Sequence, residues 1–236
     1  GGGLYSDAGG LFTGNNATST LSGQYVRIQD MTCGAGGGAG TISLTTTTGD
    51  LDFGMSAGRD CVTPGVGGTG NTHAARTQFY QVILIKMKAR SYIPANAWLS
   101  AQLTDRVNIN DVCNAYWSSA SGTVNFFKYG VYGSWTCENT GELPGVSLHE
   151  WGHGMDYNDG NGASPEKGTG ETYGDFTAVL QTHNSCAGNG FFIGANCSGY
   201  GDPCLSCSGI RDIDYAKHAS NTPAVPTMLS GASGFH

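Results

Sequence analysis

Two histidines four positions apart, His149 and His153, flank Glu150 in the segment Val146-Ser147-Leu148-His149-Glu150-Trp151-Gly152-His153. On a helix that spacing puts both imidazoles on one face, about one turn apart, where they can bind the same zinc ion. Glu150 then lies beside the metal rather than on it. A carboxylate there can take the proton of a metal-activated water and make that water a nucleophile at neutral pH. The pattern predicts a metal-dependent hydrolytic centre. A bland helix with two surface histidines would also satisfy it, so the rest of the site has to be found.

Two histidines leave a catalytic zinc site one protein ligand short. Glu171 opens the run Glu171-Thr172-Tyr173-Gly174-Asp175, with Asp175 one turn further along the same face. Glu171 would bind the metal, and Asp175 would accept the free ring N–H of a ligand histidine. The competitor is Asp159, ten residues after His149. A short-loop site built on Asp159 normally needs a glycine three residues earlier for a sharp turn, and that position is Asp156. Glu171 is therefore the preferred third ligand.

The elements that must carry these groups follow from periodicity. Residues 1 to 70, rich in Gly, Thr and Ser, hold short alternating runs at Gln24 to Ile28 and Thr41 to Thr45 that read as strands. Thr72 to Tyr92 reads as a helix, with Ala75, Phe79, Val82, Ile83 and Met87 as its apolar face and Pro94 closing it. Leu103 to Ile109 alternates as a strand, and Asn114 to Trp117 with Thr123 to Tyr129 reads as a hairpin turning at Ser118 to Gly122. A helix starting near Leu143 to Gly145 carries the two histidines. A glycine-rich loop from Asp156 to Gly170 follows, then a second helix from about Glu171 to Thr182, and an irregular tail with four of the eight cysteines.

At 236 residues the chain can bury a full core. Eight cysteines among many Gly, Ser, Thr and Asn residues point to disulfides, an oxidising compartment and secretion. The start at Gly1, without a Met or an apolar leader, implies that any signal segment has been removed. A formal charge of -7 excludes the basic stripe of a nucleic-acid binder, and no run approaches the roughly 18 apolar residues of a membrane span. Cys204-Leu205-Ser206-Cys207 reads as a portion of a disulfide-knotted loop rather than a redox or zinc-ribbon motif. His73, His183 and His236 read as bystanders. Asp156, Asn158, Asp159 and Asn161 form a candidate calcium loop, although the EF-hand glycine and glutamate are absent and Asx-type turns would use the same residues. Asn16-Ala17-Thr18 and Asn196-Cys197-Ser198 fit the glycosylation pattern.

Taken in order, Asn114-Ala115-Tyr116-Trp117, the hairpin, His149-Glu150-Trp151-Gly152-His153 and Gly170-Glu171-Thr172-Tyr173-Gly174-Asp175 resemble the gluzincin metallopeptidases, the thermolysin and fungalysin group. The resemblance covers about residues 72 to 182. It implies zinc on His149, His153 and Glu171, Glu150 as general base, Asp175 behind a ligand histidine, and an edge strand in which Asn114 and Ala115 align an extended peptide. It also implies an oxyanion donor from the C-terminal region. Ile210 to His218 offers similar pieces on an expected helix, with His218 as donor and Tyr215 and Arg211 as substitutes; Tyr157 is a further candidate, and Arg211 also a substrate-binding residue. The chain departs from the thermolysin pattern in its cysteines and in having only about 54 residues after Thr182.

The expectation is an α+β, zincin-like fold with a mixed β-sheet, an active-site helix carrying HExxH and a reduced, disulfide-rich C-terminal region. It forms a single domain, 1–236, with a β-rich N-terminal portion (residues 1–155) that includes the active-site helix and a smaller C-terminal portion (residues 156–236) that carries the third ligand. The expected function is that of a secreted, monomeric zinc endopeptidase acting on protein or peptide, with Zn2+ as cofactor, Ca2+ as a candidate, and neither nucleic acid nor membrane as partner. The rivals are a metzincin-like site with Asp159 as ligand over a Met228 turn, and a non-catalytic adhesion or structural module on a peptidase scaffold.

Overall fold

A computed structural model describes residues 17–32, 43–46, 52–55, 65, 66, 68–165, 167–197 and 204–217. The chain is a mixed α+β structure. Its main sheet is built from β2 (Val26–Asp30), β4 (Leu103–Val112), β5 (Ala115–Ser118) and β6 (Thr123–Lys128), in the order β2-β4-β6-β5. β2, β4 and β6 run parallel and β5 runs antiparallel to β6, so β5 is an edge strand. Two small antiparallel pairs accompany it, β1 (Ala17–Thr20) with β3 (Ser43–Thr46), and β7 (Gly130–Tyr132) with β8 (Trp135–Cys137).

The helix α1 (His73–Tyr92) begins where the Thr72 hydroxyl accepts the Ala75 N–H and ends at Ile93, before Pro94. Its buried stripe is Ala74, Ala75, Gln78, Val82, Ile85 and Lys86, whereas Met87, placed on the apolar face by sequence, is half exposed. The difference has a polar cause. Gln78 Nε2 donates to Gly141 O and Ser147 Oγ. Lys86 Nζ donates to Ala101 O at 2.7 Å and Trp98 O at 3.2 Å, closing the C-terminus of the short helix α2 (Ala97–Ser100), and lies over the Trp98 ring. A pattern counted in apolar residues cannot see a lysine and a glutamine that enter the core because partners wait there.

A second buried polar network ties the layers together. Asn108, at φ +55 where β4 shifts register, donates to both Asp30 oxygens at 3.0 and 3.1 Å. Thr72 Oγ1 donates to Asp30 at 2.6 Å, and Asn139 donates to Asn108 at 2.7 Å. β2, β4, the start of α1 and the 3-10 turn Thr140–Glu142 are thereby fixed to one another.

α3 (Pro144–Asn158) carries HExxH and starts with Pro at a position where a missing N–H costs nothing. α4 (Lys167–Thr182) starts four residues earlier than the sequence suggests, and α3 runs two residues past Asp156, so the glycine-rich connection shrinks to 159–166. The division expected at 155/156 therefore falls inside α3. The helix expected over 210–218 is instead β10 (Arg211–Asp212), paired with β9 (Cys186–Ala187), followed by a 3-10 turn at Tyr215–Lys217. Among the described residues three disulfides are formed: Cys113–Cys137, Cys186–Cys207 and Cys197–Cys204. The remaining cysteines, Cys33 and Cys61, lie outside the described residues. Disulfides of this number belong to an oxidising or extracellular environment. Among the described residues no helix is long and apolar enough to cross a membrane.

Candidate metal centre

α3 presents His149 and His153 side by side, ring centroids 4.6 Å apart and planes perpendicular, with their Nε2 atoms 3.0 Å from each other. α4 brings Glu171 opposite them, Oε2 at 3.3 Å from His149 Nε2 and Oε1 at 3.6 Å from His153 Nε2. These three residues form a group that could hold a metal ion. Asp175, one turn along α4 and almost fully buried, meets His149 Nδ1 at 2.9 Å, which leaves Nε2 aimed at the shared point.

The approach of α4 to α3 depends on two glycines. A Cβ on Gly152 would stand 2.8 Å from Gly174 Cα, and a Cβ on Gly174 would stand 2.8 Å from both Cε1 and Nδ1 of His149. Both positions admit hydrogen alone. The signal was present in the sequence: a glycine inside a helix costs about 1 kcal/mol against alanine, so Gly174 next to Asp175 marked a close crossing.

Glu150 is buried beneath the histidines, 6 % exposed, and accepts the backbone N–H of Trp117 from the edge strand β5. Burial is the main cause that raises its pKa to about 7, with the Glu171 charge adding to it and His149 opposing it. Burial works against the charged form of His149, yet hydrogen bonds to Asp175 and Glu171 and the charge of Glu150 outweigh it, raising His149 to about 10. His153 is lowered to about 4, chiefly by burial and then by His149. Glu171, despite burial, is lowered to about 2 by its hydrogen bond to His149 and by the nearby positive charges, and Asp175 is driven lower still by His149 and Arg211. Three carboxylates thus crowd one spot and call for positive charge, which a proton on His149 or a metal cation can supply.

Arg211 is brought to the site, but onto the carboxylates. Its Nη2 reaches Glu171 Oε2 at 3.1 Å and Asp175 Oδ1 at 3.0 Å, and Nε bonds Asp175 Oδ2. Sequence reasoning offered Arg211 to substrate; the guanidinium is engaged by Glu171 and Asp175. Asn114 is exposed just before β5, its carbonyl accepting from Thr140 Oγ1 at 3.0 Å, and Ala115 is buried opposite Phe126. Tyr157 is half exposed at the end of α3 and packs on Trp117. Tyr215 lies in the 3-10 turn; its side chain, His218 and Met228 lie outside the described residues.

Asp159 caps the C-terminus of α3, is exposed, and accepts the Asn161 N–H at 2.9 Å, an Asx turn rather than a ligand position. Of the other side chains proposed for calcium, Asp156 accepts from Ser164 N and Oγ, and Asn158 donates back to Gly154 O. Cys197, Cys204 and Cys207 also cluster at ligand-like distances, but all three are in disulfides and offer no thiolate. No protein-family model matches the chain, and no curated protein matches it in sequence.

Proposed function

We propose that the chain is a zinc-dependent endopeptidase of gluzincin type, with His149, His153 and Glu171 as ligands and Glu150 as general base. One observation supports the reading: the two Nε2 atoms lie 3.0 Å apart, and the Glu171 carboxylate faces both, with Oε2 3.3 Å from His149 Nε2 and Oε1 3.6 Å from His153 Nε2. A tetrahedral zinc with bonds of about 2.0–2.1 Å sets its ligand atoms about 3.4 Å apart. The donor set, two imidazoles and one carboxylate with an open fourth direction, is that of a catalytic rather than a structural zinc site. The zincin-like fold and the secreted, monomeric state belong to the same proposal, the disulfides agreeing with secretion.

A zinc ion held there supplies Lewis acidity that polarises a scissile carbonyl and acidifies water. Glu150, buried next to the ligand His149, is suited to take a proton from attacking water and return it to the leaving amine. Asp175 fixes the His149 tautomer and ring plane. The substrate is aligned by β5. The Trp117 N–H reaches out from this edge to Glu150, and backbone groups two residues apart face the same side, so Ala115 offers its amide and carbonyl to the same open edge. An extended peptide added there runs past Glu150, and main-chain pairing makes the substrate class polypeptide rather than one particular residue.

The test is hydrolysis of unfolded casein by zinc-loaded protein, wild type against Glu150→Gln. Chelator-sensitive cleavage is expected for wild type, with Glu150→Gln keeping its zinc and losing activity by at least about a hundredfold, the lower end of the range for a general base. Full activity in Glu150→Gln refutes the mechanism. Zinc without cleavage by wild type favours a binding module.

A further inference from the structure

Arg211 joins the disulfide-knotted segment after α4 to the candidate metal site. Arg211 reaches Asp175 with two nitrogens and Glu171 with one. The strand that carries it, β10, is two residues long, and its partner β9 is no longer. So short a ladder cannot hold a strand in place by itself. Its anchor is covalent: Cys186 in β9 is bonded to Cys207, four residues before Arg211, and Cys207 Sγ lies 3.4 Å from the Arg211 carbonyl oxygen. Gly209 lets the chain pass over this bond, since a Cβ there would stand 2.9 Å from Cys186 Sγ and 2.1 Å from Ala187 O. Ile210 N to Ala187 O at 2.9 Å and Ile213 N to Ser185 O at 3.0 Å complete the clamp on either side of Arg211.

Charge explains why the position of Arg211 matters. Glu150, Glu171 and Asp175 place three carboxylates around His149 and His153, and a divalent ion balances two of them. Arg211 supplies the third positive charge and at the same time fixes Glu171, a ligand, to Asp175, the group that orients His149.

We infer that the Cys186–Cys207 disulfide positions the metal site through Arg211, so that the thiol–disulfide state of this one bond sets how tightly the site holds its metal. The inference rests on the zinc centre proposed above. Opening the bond takes two electrons and two protons from a dithiol, which closes to its own disulfide while Cys186 and Cys207 become thiols. The segment bearing Arg211 is then released, and Glu171 and Asp175 lose their common donor. Arg211 is a positioning residue: it acts on the ligands and not on substrate. Groups in this supporting position change metal affinity by about ten- to a hundredfold.

The experiment measures zinc affinity by competition with a chromogenic chelator, on the full chain, alongside cooperative melting as a check of folding. Cys186→Ser/Cys207→Ser and Arg211→Met should each weaken zinc about ten- to a hundredfold. Combined, they should weaken it little beyond either alone, because one removes what the other positions. Cys197→Ser/Cys204→Ser, which cuts the neighbouring bond of the same segment, should stay within about threefold of wild type, and Arg211→Lys should recover some of the loss. Equal losses from both disulfide pairs, or fully additive losses from Arg211→Met and Cys186→Ser/Cys207→Ser, would overturn the tether and leave the zinc centre standing. If the Cys186→Ser/Cys207→Ser chain does not fold, Arg211→Met alone decides: unchanged affinity overturns the inference. A wild type that takes up no zinc overturns the inference together with the reading beneath it.

Discussion

Replacing Gly174 with alanine adds one methyl group at the point where α4 crosses α3, the helix that carries His149 and His153. The new Cβ would lie 2.8 Å from Nδ1 and Cε1 of His149 and 3.1 Å from its Cγ. Non-bonded carbon contacts are most favourable at about 3.5–4.0 Å, so the shortfall is about 0.7–1.2 Å. The imidazole cannot absorb it by turning away, because Asp175 holds Nδ1 at 2.9 Å and Glu171 faces Nε2 at 3.3 Å. Either α4 retreats or the ring tilts. Both stretch the Asp175 contact beyond hydrogen-bond range and separate Glu171 from the two histidines. The expected result is a fall in zinc affinity of at least the roughly ten- to hundredfold associated with losing a ligand's supporting group. Chelator competition measures it directly. Gly170→Ala is the control on the same helix, since its Cβ would meet nothing nearer than Asp156 Oδ2 at 3.8 Å. It should leave zinc affinity unchanged and add up to about 1 kcal/mol of helix stability. If Gly174→Ala binds zinc within about twofold of wild type, the close helix crossing is not what sets the site.

Two buried ionisable groups away from the candidate metal centre make pH-dependent predictions. Burial lowers the Lys86 pKa from 10.5 to about 8, so between those values the unfolded chain holds a proton that the folded chain has released, and stability rises with pH. At about 1.36 kcal/mol per pH unit this comes to about 3 kcal/mol. Denaturant melts at pH 7.5 and 10.5 should show that rise in wild type relative to Lys86→Met, and an identical rise in both would refute the assignment. Asp105 behaves oppositely. It is fully buried in β4, neither carboxylate oxygen has a hydrogen-bond partner, and burial raises its pKa well above 3.8. The folded state therefore keeps a proton that the unfolded state loses, and stability declines as pH rises above 3.8 through the raised folded value. Asp105→Asn should gain stability over wild type between pH 4 and pH 8; a difference that does not change with pH would count against a neutral buried carboxyl.

What the sequence revealed and what it hid divide along physical lines. Strict periodicities survived folding: α1, the β5–β6 hairpin and the helix bearing HExxH lie where spacing predicted them. Glu171 and Asp175 were also legible, because one helical face brings residues four apart together whatever the surrounding fold. The burial of Lys86 and Gln78 was not, since their partners are backbone carbonyls and a hydroxyl supplied by distant segments. The same holds for Arg211. Asp214 and His218, four positions apart, fit one face of a helix locally, but the Cys186–Cys207 disulfide and pairing with β9 hold Arg211–Asp212 extended, and the Arg211 guanidinium meets Glu171, 40 positions earlier. Connections fixed by cross-links leave little local pattern to read.

Zinc content and casein hydrolysis measured together on wild type and Glu171→Ala test the central claim most directly. The account predicts one zinc per chain in wild type, and its loss together with activity in the variant. Zinc retained by Glu171→Ala, or a wild type that hydrolyses casein with no metal bound, would contradict it.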